Sequence, residues 1–444
     1  MPIQSFIFPN GFRFIYEKPK NKLPITSIQV FCDVGSVHED NDLRGASHFI
    51  EHMCFKGTRD YPNSKKLLVE FDKMGADFNA YTEKRLTCYH VKIGNDSIQN
   101  CIQLIADMLM NSTFIKKEYD KGYKVVVEEN IKNENDPDVI VDENMDKLLY
   151  KGSAFEYEID NLRFHKKKMD YEKVVEYYKS FYIPSRFVIS IISNTPFETI
   201  KSILKKSYFM KNVLPTNQYI LNRNIHFHIE PQSKIQYTLH KKVGIVTNLL
   251  MIGFRTCNDL SDDKYVLNLL KTIMNDLSGR LAMLLREDHG LTYTSNATTN
   301  YYENMGDFIF FAETDSKKLI KNGNSKGVLP LIIGLINDLL KHGVNDKEFL
   351  LSKNSKKEKM KLKLEDNDVL AEHNGKEFLL YGDKRKIISY SDIYEKHYKD
   401  ITKAHVNKVI RKYFKPENMS VCIVGEQIPS QSTIEKECSK IIKV

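Results

Sequence analysis

Arg44-Gly45-Ala46-Ser47-His48-Phe49-Ile50-Glu51-His52-Met53-Cys54-Phe55 is a run without proline that reads as a helix. Residues four apart share a helix face, so the imidazoles of His48 and His52 can reach one ion. Glu51, three residues after His48, lies on roughly the same face. The order is H-x-x-E-H, the inverse of the H-E-x-x-H arrangement in which two helical imidazoles hold zinc beside a carboxylate. Neutral imidazoles suit zinc, and a catalytic zinc site needs a third protein ligand and an open position for water. Alone, these five residues also fit a solvated helix face in a chain with 13 His. The surroundings have to decide.

Before this run, Ile3 to Phe8 and Phe12 to Tyr16 read as two strands around an Asn10-Gly11 turn. A strand over 25–34 leads into the loop before the helix. After it, 64–74 reads as a helix stopped by Gly75. Strands follow over 78–82 and 86–93, then helices over 98–110 and 116–132. A second cycle begins near residue 230. It has strands over 236–240 and 248–254, a helical stretch over 262–285 interrupted near Ser278-Gly279, and strands over 292–299 and 307–313. Helices over 329–341 and 346–363 complete it. The shared order indicates an internal duplication. The expected fold class is α+β, with two homologous domains, each a mainly antiparallel sheet flanked by helices. We place the first domain at 1–211, a linker at 212–234 with Pro215 and Pro231, and the second domain at 235–444. Only the first carries H-x-x-E-H. The matching helix of the second, around Leu267 to Met274, has no histidine.

The 444 residues are 41% hydrophobic and 28% charged, as in a water-soluble protein of more than one domain. No apolar run is long enough to span a membrane. The net charge of +8 is dispersed, with 66 basic against 58 acidic residues, and forms no nucleic-acid stripe. Seven cysteines without a C-x-x-C pair suggest reduced thiols in a cytosol-like compartment. Strand signal from the first residues leaves no room for a targeting peptide, so a cytoplasmic location is expected, with a mitochondrial one also compatible.

Gly45-Ala46-Ser47-His48-Phe49-Ile50-Glu51-His52-Met53-Cys54-Phe55-Lys56-Gly57-Thr58 resembles the active-site helix of the pitrilysin, mitochondrial processing peptidase and insulin-degrading enzyme family, the inverted zincins. Gly75-Ala76-Asp77-Phe78-Asn79-Ala80-Tyr81-Thr82 is similar to that family's active-site strand. Val125 to Glu129 resembles the helix of its third ligand. Asp136-Pro137-Asp138 and Tyr150-Lys151-Gly152 resemble the segments after that helix in bacterial members. Ser278-Gly279-Arg280-Leu281, Arg286-Glu287 and Gly290-Leu291-Thr292-Tyr293 look like its second-domain motif. These matches span most of the chain.

The resemblance implies a zinc-dependent endopeptidase acting on peptides or unfolded segments, in the short two-domain form. Zinc is the implied cofactor, with His48, His52 and Glu129 as ligands. Glu129 lies 77 residues beyond His52, where the family's third ligand falls. Glu128 is the rival, and Val125, one turn earlier, suggests that the Glu129 face turns inward. Glu51 would act as general base on a water activated at the metal, with Arg286 and Tyr293 reaching the substrate at the reacting centre. Asn79, Ala80, Tyr81 and Thr82 would bind substrate as an added strand. The family encloses substrates among four such domains, so a homodimer or a heterodimer with a related chain is implied. Gly122 departs from the family, which carries a Glu there. Loss of such an outer carboxylate weakens a metal site by roughly 10–100-fold, unless Glu118 or Asp120 substitutes. The segment Phe155 to Asn161 departs as well. Two other readings stay open: a catalytically silent structural subunit, and a peptide-binding protein without turnover.

Overall fold

The structure, a computed structural model, describes residues 3–159, 169–211, 228–382 and 385–443. The chain opens with a hairpin of β1 (Gln4–Ile7) and β2 (Arg13–Glu17), turned at Gly11 with φ +83°. β3 (Ile25–Cys32) leads to α1 (Ala46–Cys54) and α2 (Ser64–Lys73). β4 (Asp77–Thr82) and β5 (Thr87–Gly94) pair next, followed by α3 (Ile98–Met110), α4 (Lys116–Asn133) and α5 (Pro137–Leu149). Asp136 caps α5 by accepting from the Asp138 amide, with Pro137 in the first turn, where its missing N–H costs nothing. α6 (Tyr171–Phe181), β6 (Phe187–Ile192) and α7 (Phe197–Lys205) close the first half.

The second half runs β7 (Gln236–Lys241), β8 (Thr247–Thr256), α8 (Asp263–Asn275), β9 (Thr292–Thr298) and β10 (Gly306–Asp315). A short hairpin of β11 (Lys321–Asn322) and β12 (Ser325–Lys326) precedes α9 (Val328–His342), α10 (Asp346–Leu362) and α11 (Asn367–Tyr381). α12 (Lys403–Tyr413), β13 (Met419–Gly425) and α13 (Gln431–Cys438) end it.

Among the described residues two large sheets result besides the β11-β12 hairpin, ordered β1-β2-β6-β3-β5-β4 and β7-β13-β8-β10-β9. They share one topology. β2 with β6 and β7 with β13 are the parallel pairs, and the other neighbours are antiparallel. The expected α+β duplication is therefore present, with β1 as an extra edge strand.

The inner strands are buried on both faces. Ile28, Val30 and Cys32 of β3 point into a core shared with α1, α3 and α6, while Phe31 points into a second cluster with Phe378 and Leu379 of α11. This alternation follows the two-residue period of a strand, and burial on both sides explains the nearly continuous apolar run of β6, Phe187–Ile192.

Those two covers correct the expected boundaries. One compact unit is 1–131, 157–226 and 361–392; the other is 132–156, 227–360 and 393–444. The continuous halves 1–211 and 235–444 therefore exchange helices. α5 covers the sheet of the second unit, where a Cβ on Gly253 would lie 2.9 Å from Met145 Sδ. α11 covers the sheet of the first, and its Gly375 rests on the Phe31 ring. Of the expected linker, 212–227 lies outside the described residues, as do Asp160 and Asn161.

Candidate metal centre

α1 starts at Gly45, which adopts φ +85° as N-cap, and runs nine residues without a break. Phe49, Ile50 and Met53 face the core, which leaves His48 and His52 on the opposite, half-buried side. Their Nε2 atoms are 3.0 Å apart, with the rings nearly perpendicular at 87°. α4 brings a carboxylate to the same place: Glu129 Oε2 is 3.7 Å from His52 Nε2. One ligand atom from each of the three lies within 4.8 Å of the others. A tetrahedral zinc with bonds of about 2.0–2.2 Å holds its ligand atoms roughly 3.4 Å apart. The spacing and the N/N/O donor set fit that ion.

Among the described residues no other such group of three occurs. Glu128 is exposed and is not in the cluster. The expectation about Val125 is corrected: it is 50% exposed. The inward face of α4 is Tyr119, Gly122, Val126 and Asn130, and Glu129 reaches the histidines from the edge of that face. Gly122 is where α4 rests on α1. A Cβ there would stand 3.2 Å from Met53 Sδ and 3.5 Å from the Phe49 ring. Glu118 pairs with Lys121 on its own helix, and neither it nor Asp120 joins the cluster.

Glu51 is only 7% exposed, and its Oε2 accepts a 2.6 Å hydrogen bond from Thr82 Oγ1. Thr82 ends β4, so the strand expected to bind substrate also fixes this carboxylate. β4 is an edge strand, paired only with β5 in the sheet order. The Ala80 N–H turns to the side chain of Asn79 at 2.9 Å. Tyr81, on the other face, reaches Glu372 Oε1 at 3.4 Å.

Arg286 and Tyr293 belong to the second unit. The guanidinium carbon stands 5.5 Å from the centre of the Tyr293 ring, which is 86% exposed. The two are brought together at the start of edge strand β9. The helical stretch expected over 262–285 ends at Asn275 and resumes as a π-helical turn over Ala282–Glu287.

Residues 15–161 match the family model described as insulinase, peptidase family M16, and 168–356 match the one described as peptidase M16 inactive domain. The chain belongs to peptidase family M16. One M16 relative, an uncharacterized zinc protease of Bacillus subtilis (strain 168), is 29% identical over 382 residues, 86% of this chain and 89% of its own. The mitochondrial-processing peptidase subunit beta of Dictyostelium discoideum is 28% identical over 199 residues, 45% of this chain and 42% of its own. A protease from Helicobacter pylori superposes with a TM-score of 0.85 at 17% identity, covering 96% of this chain and 99% of that one. The periplasmic protease PqqL from Escherichia coli gives 0.79 at 15% identity, and there this chain covers only half, 50%, of the longer chain. These two likenesses concern the fold. M16 relatives named zinc protease or processing peptidase make this a chain of a peptidase family associated with zinc.

Sequence reasoning overlooked Glu39. It is buried, and its carboxylate accepts from the amides of Gly45 and Ser47, both at 2.7 Å. Burial pushes its pKa up to about 7, against the pull of those amides and of Arg44. All seven cysteines are free and buried. No helix among the described residues is long and apolar enough to cross a membrane.

Proposed function

We propose that the chain is a zinc endopeptidase acting on peptides and unfolded segments. The observation that carries this reading is the convergence of His48, His52 and Glu129 beside a buried, held Glu51 at an edge strand. The two imidazoles and the carboxylate would hold the ion. Zinc there would polarise a scissile carbonyl and bring the pKa of water toward about 7. Glu51 takes the proton of the attacking water and returns it to the leaving amine. Thr82 keeps its carboxylate turned to the reacting side. β4 takes the substrate main chain as an added strand, which favours extended peptides over folded proteins.

Arg286 and Tyr293 are exposed and paired, as suits groups that complete a site rather than build a core. We assign them to the zinc centre of a second chain in a dimer. The length of PqqL, in which this chain matches one half, favours that arrangement. A cytoplasmic location is part of the same reading.

One observation favours a non-turnover, peptide-binding or silent subunit instead: position 122, against Met53, holds a glycine and so supplies no carboxylate there. A single assay separates the two. A mixture of unfolded peptides is followed by mass spectrometry, with chelator and with Glu51→Gln as controls. Cleavage should stop with chelator and fall roughly 10²–10⁴-fold in Glu51→Gln while zinc is retained. Wild-type rates in Glu51→Gln would sink the mechanism, and no cleavage by the wild type would leave the binding subunit. Mixing Glu51→Gln with Arg286→Ala/Tyr293→Phe under subunit exchange should restore activity. Background rates in proven heterodimers refute the shared site.

A further inference from the structure

We propose that Glu39 is the positioning residue of the metal helix, anchoring the N-terminus of α1 and so fixing where His48 and His52 stand toward Glu129. The proposal rests on the reading of that cluster as a metal site.

A helix leaves its first N–H groups without partners. They are usually satisfied from within: the N-cap side chain accepts from the second or third residue, and a Glu at the third residue reaches back to the N-cap amide. Neither device is available to α1. Its N-cap is Gly45, which has no side chain, and its third residue is His48, whose ring faces His52. The position that would carry the capping Glu is occupied by a metal residue. Glu39 performs both tasks from upstream. Oε2 accepts from the N-cap amide of Gly45, and Oε1 accepts from Ser47, the second residue. Its negative end also suits the positive pole of the helix.

The leverage is short. Ser47 directly precedes His48, and α1 is only nine residues long, so a shift at its start carries both imidazoles. Glu129 stands on α4 and would not follow. The groups around Glu39 make its charge count. Arg44 attracts it from its own loop, and Tyr177 of α6 meets the Ser47 hydroxyl at 3.1 Å. The adjoining His38 is buried against Arg85 at 3.1 Å and is held neutral, its pKa lowered to about 3 by burial and that guanidinium.

The test measures zinc affinity by chelator competition between pH 6 and pH 8, in wild type and Glu39→Gln. The isostere keeps the shape and replaces one acceptor with a donor. Imidazole protonation affects both proteins equally, so the ratio of affinities isolates Glu39. We expect the variant to bind roughly tenfold more weakly at pH 8, at the low end of what outer partners contribute. The ratio should close toward one at pH 6, where the wild-type carboxyl is itself protonated. A ratio of one throughout, or a loss that does not close on acidification, overturns the proposal. Should Glu39→Gln not fold, the metal-free wild type labelled with ¹⁵N-glycine and ¹⁵N-serine gives the same answer. The Gly45 and Ser47 amide shifts should titrate together with a midpoint near 7. A midpoint below 5, or none, overturns it. A wild-type chain that takes up no zinc defeats the metal reading itself, a result distinct from equal affinities in the two proteins.

Discussion

In the first unit, α1 sets two imidazoles beside edge strand β4. In the second, α8 sets an amide against edge strand β9. The two helices follow equivalent strands of sheets with the same topology. At β9, Asn275 Nδ2 donates to the Ala297 carbonyl and its Oδ1 accepts from the Ala297 amide, both at 2.7 Å. A side chain thus takes both main-chain groups that an added strand would use at that residue. At β4 the Ala80 amide is taken by a short-range partner, the side chain of its neighbour Asn79, at 2.9 Å. Asn268 and Lys271 of α8 meet Thr299 and gather no metal ligands. Duplication of a fold copies the frame. The two copies differ in a few side chains on one helix and in whether a side chain of that helix occupies the facing edge.

The strongest way to break this comparison is to look for the metal in the wrong unit. His48→Ala/His52→Ala should lose essentially all of the roughly one zinc per chain expected from a three-residue site. Stoichiometric zinc in that variant, measured by atomic absorption, would place metal elsewhere and erase the asymmetry. Within the first unit, Glu129→Gln should weaken zinc far more than Glu128→Gln, whose side chain is exposed. The opposite order would move the third ligand by one residue.

A smaller effect sharpens the comparison between the two exchanged helices. Gly375→Ala drives a methyl into the Phe31 ring, and overpacking of that kind costs about 1–3 kcal/mol. Gly253→Ala meets Met145 Sδ, part of a flexible side chain that can swing aside, so its cost should be the lesser. Chemical denaturation of the two variants measures both, and equal losses would show that the covers are equally rigid. The smallest effect is at the sealed edge. Asn275→Ala removes two hydrogen bonds at a part-buried position and should cost about 1 kcal/mol. Thermal melting reads that as a shift of roughly 2–4 °C. Zinc content should not change, and a loss of zinc would mean that the sealed edge supports the metal unit after all.

Much of this is legible in the sequence. The H-x-x-E-H helix, the Asn10-Gly11 hairpin, the helix over Ile98–Met110 and the duplicated strand order follow from local periodicity and turn chemistry. Those signals depend on neighbours within a few residues, and they survive in any fold the chain adopts. α11 escapes because its apolar residues are spread around the axis and give no single face, as befits a helix buried on more than one side.

The sequence by itself determined which residues form the candidate site of this M16 chain: two imidazoles and a carboxylate within about one helical turn, present in one half and absent from the other. Only the tertiary structure decided how they are held. Val125 suggested the wrong inward face of α4, because a helix with charges on all sides turns by what it packs against, here Phe49 and Met53 through Gly122. The exchange of α5 and α11, the bond from Thr82 to Glu51 and the cap from Glu39 are likewise contacts that local periodicity does not register. Such contacts have no period, and spacing in the sequence does not encode distance across a core; the packing of sheets and helices has to bring them together.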